Sequence, residues 1–265
     1  MHPDASIDTG GCGVDVGSDA TNALVVFAGA TLISGGTCVR GQAWVNGTAT
    51  PEPKEFCPGQ PDPLAAVAEP EFAGCDENKK SVGASTTLSP GVYCGGLTIE
   101  KEVAAELEPG VYIVKDGPLW VRDGAKMTGS DLMIFLEGKK AEIRFDSGAT
   151  IELSAPLTGP YKGVLIFQDR DTAILNSWNA NAGSYMRGVL YMPSSKLKVD
   201  GENKLTPEKA CAVIIANEID FHTNSSVSID LSGSACRQTC PSLINAALSC
   251  WTDRWPTTDS PPSTS

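Results

Sequence analysis

The sequence predicts an all-β fold in which short strands stack as the rungs of a single-stranded parallel β-helix. Three observations point there. The segment LSPGVYCGGLTI (88–99) is followed by LEPGVYIVKDGPLWV (107–121), so that Pro90 and Pro109 stand 19 residues apart (109 minus 90), a repeat length of stacked structural units. Apolar residues then return after about 20 residues in AELEPGVYIV, AKMTGSDLMIFL and AEIRFDSGATIELSA, as solenoid rungs require. Finally, 27 Gly and 18 Pro against only 6 % aromatic residues punctuate the chain with turns and leave little room for long helices. A two-sheet sandwich uses strands of similar length. The recurrence favours the stack, whose inward side chains form ladders while the backbone pairs along the axis.

Taken in order, residues 12–45 read as short strands, CGVDV, ALVVF, ATLIS and CVRGQAWV, separated by Gly, Ser and Asn. Residues 46–82 form a Pro- and Cys-rich excursion, with Pro51, Pro53, Pro58, Pro61, Pro63 and Pro70 and with Cys57 and Cys75 placed to pin its ends. Regular patterning resumes at Ser85 and runs to about Leu231, with apolar alternation in TIELSA, GVLIF and GVLYM. A short helix is expected at SLINAALSC (242–250), followed by the linker-like PTTDSPPSTS. The domain reading is a β-helix over 1–240 containing the 46–82 excursion, then a capping segment and tail over 241–265. Open rod ends expose unpaired backbone, and the N-terminal residues and the Cys236–Cys250 segment are the expected caps.

A formal net charge of -12 argues against nucleic acid and anionic lipid, which need clustered Lys and Arg. Nine cysteines, Cys12, Cys38, Cys57, Cys75, Cys94, Cys211, Cys236, Cys240 and Cys250, include no Cys-x-x-Cys pair, and neither His2 nor His222 lies close to one. Disulfides in an oxidising compartment explain them better than zinc. All nine are disulfide candidates, and the odd count leaves one thiol over. No cofactor and no metal is expected. MHPDASIDTGG lacks the basic and apolar regions of a signal peptide, and ALVVFAGATLI (23–33) is too short to span a bilayer. A domain excised from a longer chain is the expectation, with no membrane insertion by this segment.

The run LSPGVYCGGLTI, LEPGVYIVKDGPLWV, SAPLTGPYKGVLIFQDRD, GVLYMP and CAVIIANEIDF resembles the C-terminal region of TadG-like proteins of the bacterial tight-adherence (Tad, or Flp) pilus system, over roughly residues 10–235. The most specific part is SAPLTGPYKGVLIFQDR. The resemblance implies a right-handed, pectate-lyase-like parallel β-helix on an envelope-anchored, extracellular or periplasmic protein whose partners are other pilus or envelope proteins and surface polysaccharide. Full-length members usually add a transmembrane helix and a von Willebrand A-type segment. The metal motif of that segment, D-x-S-x-S, is not matched, since Asp4 and Ser6 are followed by Asp8. The resemblance carries over no catalytic residue.

Read from the residues alone, QDRD places Asp169, Arg170 and Asp171 after the strand GVLIF. Two carboxylates could flank a glycosidic bond, and Arg170 could serve a lyase. The competing role is structural, with Asp169 and Arg170 fixing the turn at a rung's end, and it is the one expected. No Gly-x-Ser-x-Gly elbow occurs, and His222 reads as a turn or surface residue. Asn46-Gly47-Thr48 and Asn224-Ser225-Ser226 read as turns. Trp178, in the loop LNSWNANAGS, is the exposed candidate for recognition, with Asn179, Asn181 and Tyr185. Trp44, Trp120, Trp178, Trp251 and Trp255 could together form a sugar-stacking platform, yet spread along the sequence they read rather as core or cap residues. The expected role is a stiff, non-enzymatic structural and adhesive module whose loops 46–82 and 169–186 present the binding surface. The alternative is a polysaccharide-binding or polysaccharide-cleaving protein. A binding module should line one sheet with aromatics, an enzyme should gather Asp169 and Asp171 in a groove, and an assembly module should show an exposed apolar patch or free edge.

Overall fold

Short apolar runs broken by Gly, Asp and Pro bury their side chains by stacking turn upon turn, and the chain does so. In the computed structural model, which describes residues 1–181, 183–200, 204–205, 212–222 and 225–228, every strand pairing is parallel and no helix occurs among those residues. The solenoid has about nine turns and three faces. One face, called covered below, stacks Gly110–Lys115, Leu132–Glu137, Val164–Gln168, the first parts of Gly91–Ile99 and Ala212–Phe221, and the middle of Tyr185–Val199. A second, the aromatic face, stacks Leu119–Val121, Ile143–Phe145 and Leu175–Trp178 with the later parts of the same long strands. The third, the polar face, stacks Thr86–Leu88, Ala104–Leu107, Lys126–Gly129 and Thr150–Ser154.

The PGVY repeat marks the corner that opens the covered face, yet its two copies do not stack in register. Val92 lies beside Ile113, not Val111. A two-residue slip preserves which side chains point inward, so both tyrosines still reach the same corner. Tyr93 donates to Ser89 O (2.6 Å), Tyr112 donates to Leu88 O (2.8 Å) and Glu108 O (2.9 Å), and the rings stack with centroids 6.1 Å apart. The next corner is turned by Gly95 and Gly96 at positive φ, and Gly117 sits so close above it that a Cβ would lie 2.2 Å from the Gly95 carbonyl carbon. Inside, Ile99, Val121, Phe145, Trp178 and Val199 form one ladder of buried side chains. Where coils lengthen, buried polar groups complete the pairing: Gln168 donates to Ala141 O (2.7 Å), Asn176 accepts from Ile143 N–H (2.8 Å), and Ser184 accepts from Ile151 N–H (3.0 Å).

Spatial order departs from chain order. Ser6–Asp8 pairs on one side with Ser226–Ser228 and on the other with Thr31–Ile33, and Thr31–Ile33 pairs in turn with Thr48–Thr50. The N-terminal segment is therefore not a cap, as expected, but an internal rung inserted between the last described coil and the coils of residues 13–50. Its apolar Ala5 and half-buried Ile7 join the main core, and its backbone has partners on both edges, which a terminal strand would lack. The expected helix at 242–250, the Cys236–Cys250 cap, Trp251, Trp255 and Asn224 lie outside the described residues.

This permutation requires a return path. After Thr50 and a cis peptide bond to Pro51, the chain travels back along the outside of the covered face and re-enters the stack at Glu77–Val82, at the opposite end. Residues 51–76 form a strap, pinned by the disulfides Cys38–Cys57 and Cys75–Cys94. Beneath it Val92, Ile113, Phe135, Phe167, Tyr191 and Ile215 follow one another in register, with Leu64 of the strap buried among them. The strands of this face are consequently apolar on both sides. GVLIF and GVLYM are unbroken apolar runs for that reason and do not alternate as expected. TIELS does alternate, because the polar face meets solvent.

Four of the nine disulfide candidates are thus bridged among the described residues. Cys12 takes part in neither of these two bridges. It is buried at 4 % accessibility in the turn after the N-terminal rung, where its N–H donates to Thr9 O (3.0 Å) and its carbonyl accepts from the Thr9 hydroxyl (2.5 Å). The strap brings cysteines to Cys38 and Cys94 and none to Cys12. The remaining candidates, Cys211, Cys236, Cys240 and Cys250, lie outside the described residues.

Candidate functional site

Arg170 follows Val164–Gln168, where the chain turns from the covered face, and its side chain runs out over the rings of Phe167 (4.8 Å to the centroid) and Tyr191 (5.4 Å). Its guanidinium donates to the strap carbonyls Leu64 O (2.9 Å) and Val67 O (2.8 Å), to Glu69 Oε1 (3.3 Å) and to the Tyr191 hydroxyl (3.1 Å). Tyr191 in turn donates to Asp62 Oδ2 (2.6 Å). Burial first, and then the Asp62 hydrogen bond, pushes the Tyr191 hydroxyl up to about 12. Three of these four bonds go to the strap and hold it against the solenoid.

Asp169 is also committed. Its Oδ1 accepts from Asp171 N–H (2.8 Å) and its Oδ2 from the Thr172 hydroxyl (3.2 Å), which closes a tight Asx turn. Asp169 and Asp171 do border a shallow cleft of about 480 Å³ with Asp116, Lys139, Lys140 and Thr172. Arg170 points away from it into the strap. A second cleft, of about 390 Å³, lies at the edge of the aromatic face among Asp123, Arg144, Asp146, Asn179, Lys198 and Asp200.

The expected recognition element is rearranged. Trp178 is not exposed. It lies in Leu175–Trp178, 2 % accessible, as the rung above Phe145, while Leu175 of the same strand faces solvent. The signal for this in the sequence is the apolar series Ile99, Val121, Phe145, which continues to Trp178 through the longer coil. Asn181 fixes the next corner, donating to Thr150 Oγ1 (2.7 Å) and accepting from Gly183 N–H (2.8 Å). Tyr185 is half-buried on the polar face beneath the Arg187 guanidinium, and Asn179 donates its N–H to Phe145 O. These residues build coils. The loops 46–82 and 169–186, expected to present a binding surface together, meet each other instead through Arg170.

Outward residues of the aromatic face include Thr98, Trp120, Arg144, Ser177, Lys198 and Asp220 in one row. Trp120 donates to Asp146 Oδ2 (3.0 Å) and lies under the guanidiniums of Arg122 (4.9 Å) and Arg144 (5.0 Å), so its ring is already occupied. Hydrogen bonds from Ser81 and then Arg122 hold Glu100 below the usual carboxylate range. Asp220 is also held low: burial opposes this, and Lys196 with the nearby His222 and His2 outweighs it. His222, expected as a turn or surface residue, stacks on His2 with centroids 4.4 Å apart.

The apolar surface gathers elsewhere. Of the seven large hydrophobic residues exposed among the described residues, Phe27, Ile33, Trp44, Val45 and Phe56 belong to the end formed by residues 24–56. Trp44 is 44 % and Phe56 71 % accessible, and Phe27 meets Trp44 edge to face at 5.4 Å. Trp44 is thus neither core nor covered. Among the described residues Ala43–Val45 and Thr48–Thr50 pair on one side only, with Leu24–Val26 and Thr31–Ile33. Glu55 Oε1 takes up the Ala43 N–H (2.7 Å).

The fold and this site define a strapped parallel β-solenoid that, among the described residues, exposes its large apolar side chains mainly at the end formed by residues 24–56. Comparison with family models, with curated proteins and with solved structures returns no match. Two disulfides indicate folding in an oxidising, non-cytoplasmic environment. No helix of the described residues is long and apolar enough to cross a membrane.

Proposed function

We propose that this chain is a non-enzymatic structural and interaction module of the bacterial cell envelope, extracellular or periplasmic, serving assembly or attachment of a tight-adherence pilus. One observation carries the interaction role. At the end built from residues 24–56, exposed Phe27, Trp44, Val45 and Phe56 adjoin Ala43–Val45 and Thr48–Thr50, strands that pair on one side only among the described residues, the combination through which a sheet recruits another chain. The pilus assignment rests on the sequence resemblance over residues 10–235. Against catalysis stands the engagement of Arg170 with the strap and of Asp169 with its own turn.

The partner surface is tested with purified pilus subunits immobilised on a sensor chip. The wild-type chain is expected to bind, and Trp44→Glu combined with Phe56→Glu should weaken binding at least about tenfold, the effect of losing central apolar anchors, with an unchanged circular dichroism spectrum. A parallel screen covers a glycan array and polysaccharide degradation, with and without calcium. Glycan binding that disappears in the same double variant would make this end a sugar-binding platform. Cleavage of a uronic-acid polymer that is abolished by Asp169→Asn or Arg170→Lys would overturn the non-enzymatic reading.

A further inference from the structure

The sequence contains only two histidines, at positions 2 and 222, and folding brings both to one spot at the seam where the N-terminal segment joins the last described coil. The His2 N–H donates to Phe221 O (2.8 Å), which seats residue 2 as the next rung of the aromatic face beside Asp220 and His222. The two imidazoles stack at an interplanar angle of 29°. His2 Nε2 lies 3.3 Å from Asp220 Oδ1, and His222 Nε2 lies 3.2 Å from Asp220 Oδ2. One ligand atom from each of the three residues falls within 4.8 Å of the others.

We propose that His2, Asp220 and His222 form a binding site for a divalent transition-metal ion of the zinc class, which clasps the seam of the solenoid. A tetrahedral zinc ion with bonds of about 2.0–2.1 Å sets its ligand atoms roughly 3.3 Å apart, close to two of the separations present before any ion enters. Two imidazole nitrogens and one carboxylate suit zinc and its neighbours, whereas calcium and magnesium require oxygen ligands. The side chains are 40 %, 18 % and 31 % accessible for His2, Asp220 and His222, so an ion can enter from solution and water can complete its shell. Lys196 lies 3.2 Å from Asp220 Oδ2 and 2.7 Å from Glu218 Oε1. It holds the carboxylate in place, as outer groups do at metal sites. This site departs from the sequence-based expectation of no metal, because residues 220 positions apart (222 minus 2) show no ligand spacing until the chain closes on itself.

The site would tie the N-terminal rung to the coil at 218–222 across a junction otherwise held by backbone hydrogen bonds and packing. The test titrates zinc into the tag-free, oxidised chain, with remaining reactive thiols alkylated, by calorimetry and by thermal unfolding. One ion per chain is expected, with Tm raised by about 5 °C at a hundredfold excess over Kd. His2→Gln and His222→Gln should each lower affinity at least about tenfold, and bound cobalt should show a visible spectrum without sulfur charge-transfer bands. Zinc should also protect both histidines of the wild-type chain from diethyl pyrocarbonate, a readout that needs no variant to fold. Absence of saturable binding, binding unchanged in both variants, or histidines that stay reactive with zinc bound would each overturn the site and leave Asp220 as a plain hydrogen-bond partner of two imidazoles.

Discussion

Arg170 shows how one side chain can look catalytic in sequence and act as a fastener in three dimensions. Its charge is stabilised by Glu69 and by two ring faces, and its donors satisfy Leu64 O and Val67 O, carbonyls of a strap that has no strand partners of its own there. Hydrogen bonds from a charged donor contribute about 1.5–3 kcal/mol each in mutational comparisons. Arg170→Met, which keeps the apolar stem, should therefore destabilise by about 3 kcal/mol in urea unfolding, while hydrogen exchange quickens across residues 62–69. Tyr191 gives a pH signature for the same contact. Its hydroxyl titrates near 10 when unfolded and at about 12 when folded, so between those values the unfolded chain holds fewer protons and stability falls as pH rises. The contribution is fully present below pH 10 and lost as pH passes through about 12. Tm measured from about pH 9 to 12 should fall less steeply in Tyr191→Phe than in the wild type.

The strap and the strands beneath it must be understood as one element. An outward row of Val92, Ile113, Phe135, Phe167 and Tyr191 would be an aggregation-prone surface on a bare solenoid. With Leu64, Val67 and Phe72 laid over it the row becomes a second hydrophobic core. The disulfides sit at the two ends of this cover, each closing a sequence separation of 19 residues, which in the chain-entropy model contributes roughly 3 kcal/mol. The double substitution of Cys75 and Cys94 by Ser should cost about that much and free the strap first at its Cys75 end. Exchange at residues 70–76 is expected to rise before exchange at 62–69, where Arg170 still holds. Equal exchange along the whole strap would show that Arg170 does not act as an independent anchor.

At the scale of the molecule, Ser6–Asp8 lie inside the stack, between two neighbouring rungs. The coils of residues 13–50 reach the main body by way of Met1–Asp8, which supplies hydrogen bonds to both neighbours: Ser6 N–H donates to Ser225 O (2.8 Å), and Thr31 N–H donates to Ala5 O (2.8 Å). Non-local pairing of this kind places Ser6 beside Ser226, a contact whose long sequence separation carries a high loop-closure cost. Removing residues 1–8 should leave two facing sets of unpaired strand edges. The expected result is loss of exchange protection throughout Leu24–Thr50 with Leu97–Val199 still protected, and concentration-dependent association in size-exclusion chromatography. Retention of protection at Leu24–Thr50 would show that the strap and Cys38–Cys57 suffice to hold those coils.

The sequence by itself determined what depends on near neighbours. Strand length, corner positions and the inward parity of each rung follow from Gly, Pro and alternation, which is why PGVY, AEIRF and TIELS could be read as rungs and Cys57 and Cys75 as pins of an excursion. The oxidising environment followed from composition in the same way. Tertiary structure alone decided matters that turn on residues far apart in the chain. Cysteine count says that bridges form, yet only the path of the strap gives Cys57 to Cys38 and Cys75 to Cys94 and leaves Cys12 out of both. Trp178 looks like a loop residue until the rung that ends in Phe145 is stacked beneath it, and Trp44 looks like core until its side chain proves to be exposed among the described residues. GVLIF reads locally as an alternating strand, and nothing near it says that residues 51–76 bury its second side. Met1–Asp8 carries no sign of being an internal rung, and His2 none of meeting His222. In a solenoid each rung constrains only the next, so local pattern dictates the coil, whereas the order of coils, the seam and the strap are fixed by the burial and hydrogen bonding that only the closed stack provides.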